Sequence, residues 1–200
     1  MNSKKHYLKI YQQSIQNPEF FWENVARSEL DWFKSWDQVY KKDGLNHQWF
    51  INAKINITYN CLDRHIIRGQ GGKPAYLYFN EQGESASISY HQLLHKVNQV
   101  SNFLTSQLRI TKGDTVAIYM PLSIEQIIVM LACARIGAIH SVIYAGFSEK
   151  ALATRIEDAK AKVLFTTDQT IRRGKIINLL SIARKSIQNT SIQNLVIHKR

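Results

Sequence analysis

From Thr115 onward the chain alternates, without exception, between short apolar runs and segments of helical period, and this succession restricts the fold more than any other feature. Residues 115–120 form an apolar, β-branched run stopped by Pro121. Residues 124–136 read as a largely apolar helix ended by Gly137. The same alternation continues through a strand over 138–144, a helix over 148–159, a strand over 162–167, a helix over 176–187 and a strand over 194–198. Strands separated by a helix's worth of chain cannot be joined by tight turns, so they pair in parallel through right-handed crossovers. Such a sheet needs cover on both faces, which is why its strands are apolar throughout, and 138–144 is expected to be a buried strand. The expected class is α/β: a mostly parallel sheet with flanking helices.

Upstream, the pattern is different. Residues 75–80 and 87–90 flank the turn-forming run 81–84 and predict a β-hairpin. Leu93, Leu94, Val97, Val100, Phe103, Leu104 and Leu108 place an apolar stripe on a helix over 91–108. Ile55, Ile57 and Tyr59 alternate before a helix that starts near Asn60. The segment 17–50 holds all four tryptophans, Trp22, Trp32, Trp36 and Trp49, with few aliphatic residues beside them. It reads as short helices and loops, an aromatic-rich extension packed along the sheet rather than a domain of its own. Asn17, Pro18 and Glu19 mark one helix start there: a capping amide, a proline at the first helical position and an acid in the first turn.

Composition narrows the class of function. Hydrophobic residues make up 44% and charged residues 20%, as in folded globular domains, with no low-complexity stretch. The first twenty residues lack the apolar run of a signal peptide, and the most apolar stretch, 127–134, lies between Glu125 and Arg135, well short of the roughly 20 residues needed to span a bilayer. No membrane segment is expected, and the setting is read as cytoplasmic. Cys61 and Cys133 lack the paired spacing of a zinc site and are expected to be buried free thiols. The net charge is +11, and residues 151–200 hold ten basic against three acidic side chains. A basic face can attract nucleic acid, a membrane or a phosphorylated small molecule, or simply be solvated. The aromatic segment lacks the interleaved Arg and Gly of a base-stacking platform, which argues against nucleic acid. His140, inside an apolar strand, reads as a hydrogen-bonded core histidine, and Asp63 and Arg64, beside His65, as partners in a structural Asp–Arg contact. No Gly-rich phosphate loop, GxSxG or HExxH is present, so no catalytic residue and no metal ligand is assigned.

Longer strings are more specific. Ala117-Ile-Tyr-Met-Pro121, Met130-Leu-Ala-Cys-Ala-Arg-Ile-Gly-Ala138, His140-Ser-Val-Ile143 and Gly146-Phe147-Ser148 follow one another at fixed spacing. Upstream stand Asn56-Ile-Thr-Tyr-Asn60-Cys-Leu-Asp63-Arg64-His65, Tyr11-Gln-Gln-Ser14 and Pro18-Glu-x-Phe-Trp22. Together they resemble the AMP-forming acetyl-CoA synthetases (acetate–CoA ligases) and propionyl-CoA synthetases of the adenylate-forming superfamily, over nearly the whole chain. The resemblance implies a ligase that activates a carboxylate with ATP and passes the acyl group to the thiol of CoA. It makes residues 1–66 the family's N-terminal extension and residues 67–200 the first part of the large AMP-binding domain.

The same resemblance places a CoA site in this chain. Family members carry a phenylalanine and two glycines before a second phenylalanine, matched here by Tyr144, Ala145 and Gly146 before Phe147. A strand and a helix later they carry an Arg-x-Gly-Arg/Lys string that meets the nucleotide end of CoA, matched by Arg172, Arg173, Gly174 and Lys175. A guanidinium beside an ammonium suits the phosphates of CoA, although a bare basic helix start would look the same in sequence. Two positions depart from the family: tyrosine replaces phenylalanine at 144, and alanine replaces glycine at 145, adding a methyl where backbone might approach adenine. The ATP-phosphate loop, the ribose-binding aspartate, the hinge and the C-terminal lysine of the family have no counterpart here. The chain therefore reads as a truncated N-terminal part, catalytically incomplete alone. In this reading ATP and Mg²⁺ are handled by the longer relative, CoA and the missing C-terminal part are partners of the chain, and neither nucleic acid nor membrane is.

Overall fold

The computed structural model describes residues 2–200, and these fall into two compact units, 2–56 and 57–200. The second unit holds the alternating pattern. After a π-helical turn, Tyr59–Asp63, and the short helix α3 (Arg64–Ile67) come β3 (Pro74–Phe79) and β4 (Ser85–Ser89), paired antiparallel, and then α4 (Tyr90–Ser106). There follow β5 (Thr115–Tyr119), α5 (Ile124–Ile136), β6 (Ile139–Val142), α6 (Glu149–Asp158), β7 (Val163–Thr167), β8 (Thr170–Arg172), β9 (Lys175–Ile177), α7 (Leu179–Ser186) and β10 (Asn194–His198). Strands β10, β7, β5 and β6 form one four-stranded sheet in that order, every neighbouring pair parallel.

Alternation along the central strands divides the core in two. Val116 and Ile118 of β5, with Val163 and Phe165 of β7, join Leu93, Val97, Leu104, Val129 and Cys133 in one cluster. Ala117, Tyr119 and Leu164 turn the other way and pack with Leu152, Ile156, Leu179 and Ala183. Two helices thus cover each face, as parallel strands require. Local signals set the ends. Ser89 and Gln92 form a reciprocal capping box at α4, the Ser123 hydroxyl accepts the Gln126 N–H at α5, and Gly137 closes α5 in the left-handed conformation at φ 75°.

In the first unit, α1 (Asn2–Gln16) and α2 (Pro18–Glu29) precede an antiparallel pair, β1 (Gln38–Asp43) and β2 (Asn46–Ile51). Asn17 caps α2 as expected, its side chain accepting from the Phe20 N–H. Trp32, Trp36 and Phe50 cluster with ring centroids 4.8–5.3 Å apart, and the Trp32 indole donates to the Ala26 carbonyl. The Arg27 guanidinium lies 4.5 Å from the centre of the Trp36 ring. The rings are thus covered by one another and by a hairpin that the loop expectation missed. Its turn signal, Asp43-Gly44 with Gly44 at φ 59°, stood in the sequence.

Four further expectations are corrected. The stretch 138–144 is not a buried strand throughout: β6 lies at the edge of the four-stranded sheet beside β5, and Ile139 and Val142 are 55% and 46% exposed, while Ala138 and Ile143 are buried. A continuous apolar run cannot distinguish a central strand from an edge, and the polar pair His140-Ser141 within it was the available sign. His140 is half-buried there. The helix expected from residue 176 begins at Leu179, capped by Asn178, because residues 170–177 form the β8–β9 hairpin. Cys61 is exposed, whereas Cys133 is buried and burial pushes its thiol up to about 12. The Asp–Arg contact forms, but across the fold: Asp63 takes a bidentate pair from Arg135 at 2.8 and 3.0 Å, while Arg64 donates to Asn60. Among the described residues, no helix is long and apolar enough to cross a membrane.

Candidate functional site

The parallel sheet fixes where a ligand can sit. All four strands point their carboxyl ends to one edge, and the loops leaving them diverge there into a crevice, the usual binding position in open α/β sheets. In this chain that edge carries a cleft of about 870 Å³. Residues 121–127 follow β5, residues 144–146 follow β6, residues 169–172 follow β7, Arg200 lies just past β10, and Ile177 of β9 and the β3–β4 hairpin from Tyr76 to Glu84 supply the remaining lining. Much of the lining is apolar or aromatic: Leu77, Phe79, Leu122 and Tyr144 are all more than half exposed.

The loop after β6 is held from below. Tyr119, the last residue of β5, is fully buried in the core, and its hydroxyl lies 2.8 Å from the Phe147 carbonyl and 3.2 Å from that of Ala145. Burial raises the Tyr119 phenol above its ordinary value, so it stays protonated and donates across the neutral range. The Tyr144 ring meets Phe147 edge to face at 5.7 Å, and Arg155 covers Phe147 at 4.2 Å. Ala145 packs against the core cluster of Tyr119 and Leu152, and its backbone is not in the left-handed region. The Ala145 methyl, expected from the resemblance to stand where a glycine would, therefore lies against the core side of the loop. Gly146 cannot carry a side chain as the loop stands: a Cβ there would come within 2.5 Å of the Tyr144 ring and 2.9 Å of Arg172 Nη1.

Arg172 reaches the same spot from the other side. Its guanidinium lies 5.4 Å from the centre of the Tyr144 ring, within cation–π range. It ends β8 and pairs in register with Lys175 of β9. Between them Arg173 and Gly174 take consecutive left-handed conformations, φ 51° and 72°, as a two-residue hairpin turn demands. Gly174 has open space around it, so it serves the turn's dihedral angle rather than close approach to a neighbour. The string is accordingly not the start of a helix. Tyr144, Ala145, Gly146 and Arg172 are brought together on the cleft, while Arg173, Gly174 and Lys175 form the turn behind it and do not line it.

Three cleft-shaping residues escaped the sequence. Glu81, in the β3–β4 turn, accepts the backbone N–H groups of Arg173 and Gly174 at 2.8 and 3.0 Å. Those two bonds, first Gly174's and then Arg173's, hold its carboxyl below the usual carboxylate range. Arg200 lines the cleft, donates from its guanidinium to the Tyr78 hydroxyl at 3.2 Å, and gives its backbone N–H to Asp168. Tyr119 was visible only as an apolar strand residue. Nothing in the local sequence joins Glu81 to a turn 92 positions away. The lining contains no histidine, cysteine or aspartate. What it offers is a guanidinium on an aromatic ring, a second guanidinium, apolar walls and two carboxylates, Glu81 and Glu84, of which Glu81 is taken up by the β8–β9 turn; the guanidinium and ring suit a flat heterocycle that bears phosphate.

Comparison with known proteins agrees in extent and in fold. The family model for AMP-binding enzymes matches residues 63–198, and the model for the acetyl-coenzyme A synthetase N-terminus matches residues 7–61. Acetyl-coenzyme A synthetase 1 of Candida glabrata is 40% identical over 100% of this chain and 30% of its own length. An acetyl-coenzyme A synthetase of Deinococcus radiodurans is 45% identical over 88% of the chain and 27% of its own length. A 3-hydroxypropionyl-coenzyme A synthetase of Metallosphaera sedula is 40% identical over 98% and 30%. The solved structure of an acetoacetyl-CoA synthetase from Streptomyces lividans superposes with a TM-score of 0.85 at 22% identity, over 93% of this chain and 29% of that one, a likeness of fold. The chain spans about 30% of the length of these curated relatives.

Proposed function

Since the chain belongs to the AMP-binding enzyme family, we propose that it carries the CoA-contacting part of an AMP-forming acetate–CoA ligase. In the reaction, a carboxylate oxygen of acetate attacks the α-phosphorus of ATP and diphosphate leaves. The CoA sulfur then attacks the carbonyl carbon of the acetyl-adenylate, AMP leaves with the bonding electrons, and the thiol proton passes to solvent. Residues 1–66 are the N-terminal extension and 67–200 the first part of the AMP-binding domain in this proposal. ATP, Mg²⁺ and the acyl pocket belong to parts of the ligase beyond these residues. An acetyl-coenzyme A synthetase and a 3-hydroxypropionyl-coenzyme A synthetase are each 40% identical to this chain, which supports an acyl choice made elsewhere. The setting is proposed to be cytoplasmic, in keeping with two unpaired thiols.

One observation carries the reading: the Arg172 guanidinium rests against the Tyr144 ring beside Gly146, on the cleft at the carboxyl edge of the sheet. A ring and a guanidinium there can take an adenine and a phosphate together, with Arg173, Gly174 and Lys175 completing the basic turn. Titration calorimetry of the chain with CoA and with dephospho-CoA tests it. The expected result is tighter binding of CoA, with Arg172→Ala losing about tenfold in affinity, the order for a charge-assisted pair. Equal binding of both ligands, or an unchanged Arg172→Ala variant, overturns it. The chain alone is expected to give no acetate-dependent exchange of labelled diphosphate into ATP, because the donors that stabilise the leaving diphosphate are not among its residues.

A further inference from the structure

The β8–β9 hairpin that presents Arg172 has little core of its own. Of its three-residue strands only Thr170 is buried, while Arg172, Arg173, Gly174 and Lys175 are exposed. A hairpin so short is marginal in water unless something else holds it. Its turn closes through two left-handed residues, and the Arg173 and Gly174 N–H groups converge on one concave point, a backbone nest of the kind that takes anions. That nest is filled from within the chain, for Glu81 sends each carboxylate oxygen to one of the two N–H groups, Oε2 to Arg173 and Oε1 to Gly174. Glu81 is aimed by its own turn. Asn80 Oδ1 accepts the backbone N–H groups of Gln82 and Glu84 at 3.1 and 2.9 Å and fixes the loop from which Glu81 projects.

We infer that Glu81 is a positioning residue that ties the β3–β4 turn to the β8–β9 turn and thereby sets where Arg172 stands on the cleft. Both hairpins contribute lining, so the two bonds join opposite parts of the same rim. Without them the Arg173–Gly174 turn loses its tie to the β3–β4 turn, and Arg172 keeps its contact with the Tyr144 ring. Glu81 also satisfies the nest internally, so a bound phosphate is directed to the Arg172 side chain rather than to the turn's backbone. The consequence for ligand selection rests on the proposed CoA site; the mechanical tie between the hairpins does not.

The test uses the full chain and three variants: Glu81→Gln, which keeps size but replaces one accepting oxygen with a donor; Glu81→Asp, which keeps charge but shortens the reach; and Asp158→Asn, a control at an exposed acid on α6 outside the cleft lining. Two readouts separate the tie from the ligand. Amide hydrogen exchange at Arg173 and Gly174 reports the tie directly, and calorimetry with CoA and dephospho-CoA reports its effect on Arg172. Exchange at those two amides is expected to speed up about tenfold in Glu81→Gln and less in Glu81→Asp, with the global unfolding midpoint unmoved because Glu81 is exposed. CoA affinity is expected to fall about fivefold in Glu81→Gln with dephospho-CoA affinity unchanged, and Asp158→Asn is expected to match the parent in all measurements. Faster exchange with no difference between CoA and dephospho-CoA in the parent keeps the tie and removes the CoA reading. Unchanged exchange at Arg173 and Gly174 in Glu81→Gln overturns the inference, as does a loss of affinity that appears only together with a lowered unfolding midpoint.

Discussion

The cleft has two flanks that bear on the same few atoms and are held by opposite means. The 144–147 loop is fastened from inside by Tyr119, a fully buried residue whose hydroxyl meets two loop carbonyls. The β8–β9 hairpin is fastened from outside by Glu81, an exposed carboxylate on a neighbouring turn. Moving the first requires opening the core, whereas moving the second requires breaking two bonds in contact with water. The aromatic half of the site is thus fixed with the fold, and the cationic half can be adjusted without unfolding anything.

The largest effect should come from breaking the inner fastening. Tyr119→Ala removes a fully buried ring from between β5 and helices α6 and α7, and large-to-small truncations of this kind cost about 3–5 kcal/mol. Chemical denaturation should show a loss of that size. Tyr119→Phe keeps the ring and removes only the hydroxyl, for an expected ~1 kcal/mol plus a freed loop. If Tyr119→Phe costs as much as Tyr119→Ala, the hydroxyl rather than the ring is what holds this flank.

A smaller effect is expected where the two flanks meet. In Gly146→Ala the new methyl falls 2.5 Å from the Tyr144 ring and 2.9 Å from Arg172 Nη1, yet both obstacles are exposed side chains able to swing away. Stability should change by less than about 1 kcal/mol, within the range of surface substitutions that touch no core. The Arg172–Tyr144 stack should be lost, with a severalfold fall in CoA affinity. A large loss of stability would mean that the loop is not free to yield at its surface.

How much of this was legible follows the same division. The central strands β5 and β7, helices α4 to α6 and their caps could be read because burial imposes a period and caps have fixed chemistry. Asn17, Ser89, Ser123 and Gly137 each do locally what their residue type predicts. Strand β6 was placed but not its exposure, since pairing order is a property of the whole sheet. The β8–β9 hairpin was not legible, because residues 176–187 keep a helical period that runs into the end of β9 and the turn hides in Arg173-Gly174, where arginine occupies a left-handed position that asparagine or glycine usually fills. The cleft residues from 144 to 175 came from family strings and converge only in part: Arg172 reaches the 144–146 loop, and Lys175 does not line the cleft with it. Glu81 could not be found at all, because a side chain that binds backbone N–H groups leaves no complementary residue type at the other end.

The smallest effect separates the flanks by pH. Glu81 has its carboxyl held below the ordinary range, first by the Gly174 N–H and then by that of Arg173. A carboxyl depressed in the folded state contributes fully above its unfolded value, and the contribution is lost as pH falls through the lowered folded value. The tie is therefore complete at neutral pH and slackens only in acid, when protonation removes the charge that both N–H groups share. Glu84 and Asn80 share its turn, and Arg173 and Lys175 belong to the hairpin it meets. Tyr119 moves the other way: its phenol, raised by burial, keeps its proton through neutral and acid pH alike. In an acid titration followed by amide nuclear magnetic resonance, the Arg173 and Gly174 signals should shift together below the usual carboxylate range. Those of residues 145–147 should stay in place, and Glu81→Gln should abolish the paired shift. Little change in overall stability is expected, since an exposed carboxylate is screened by water. If the 145–147 amides titrate along with Arg173 and Gly174, the two flanks are mechanically one, and the cationic half of the site is not independently adjustable.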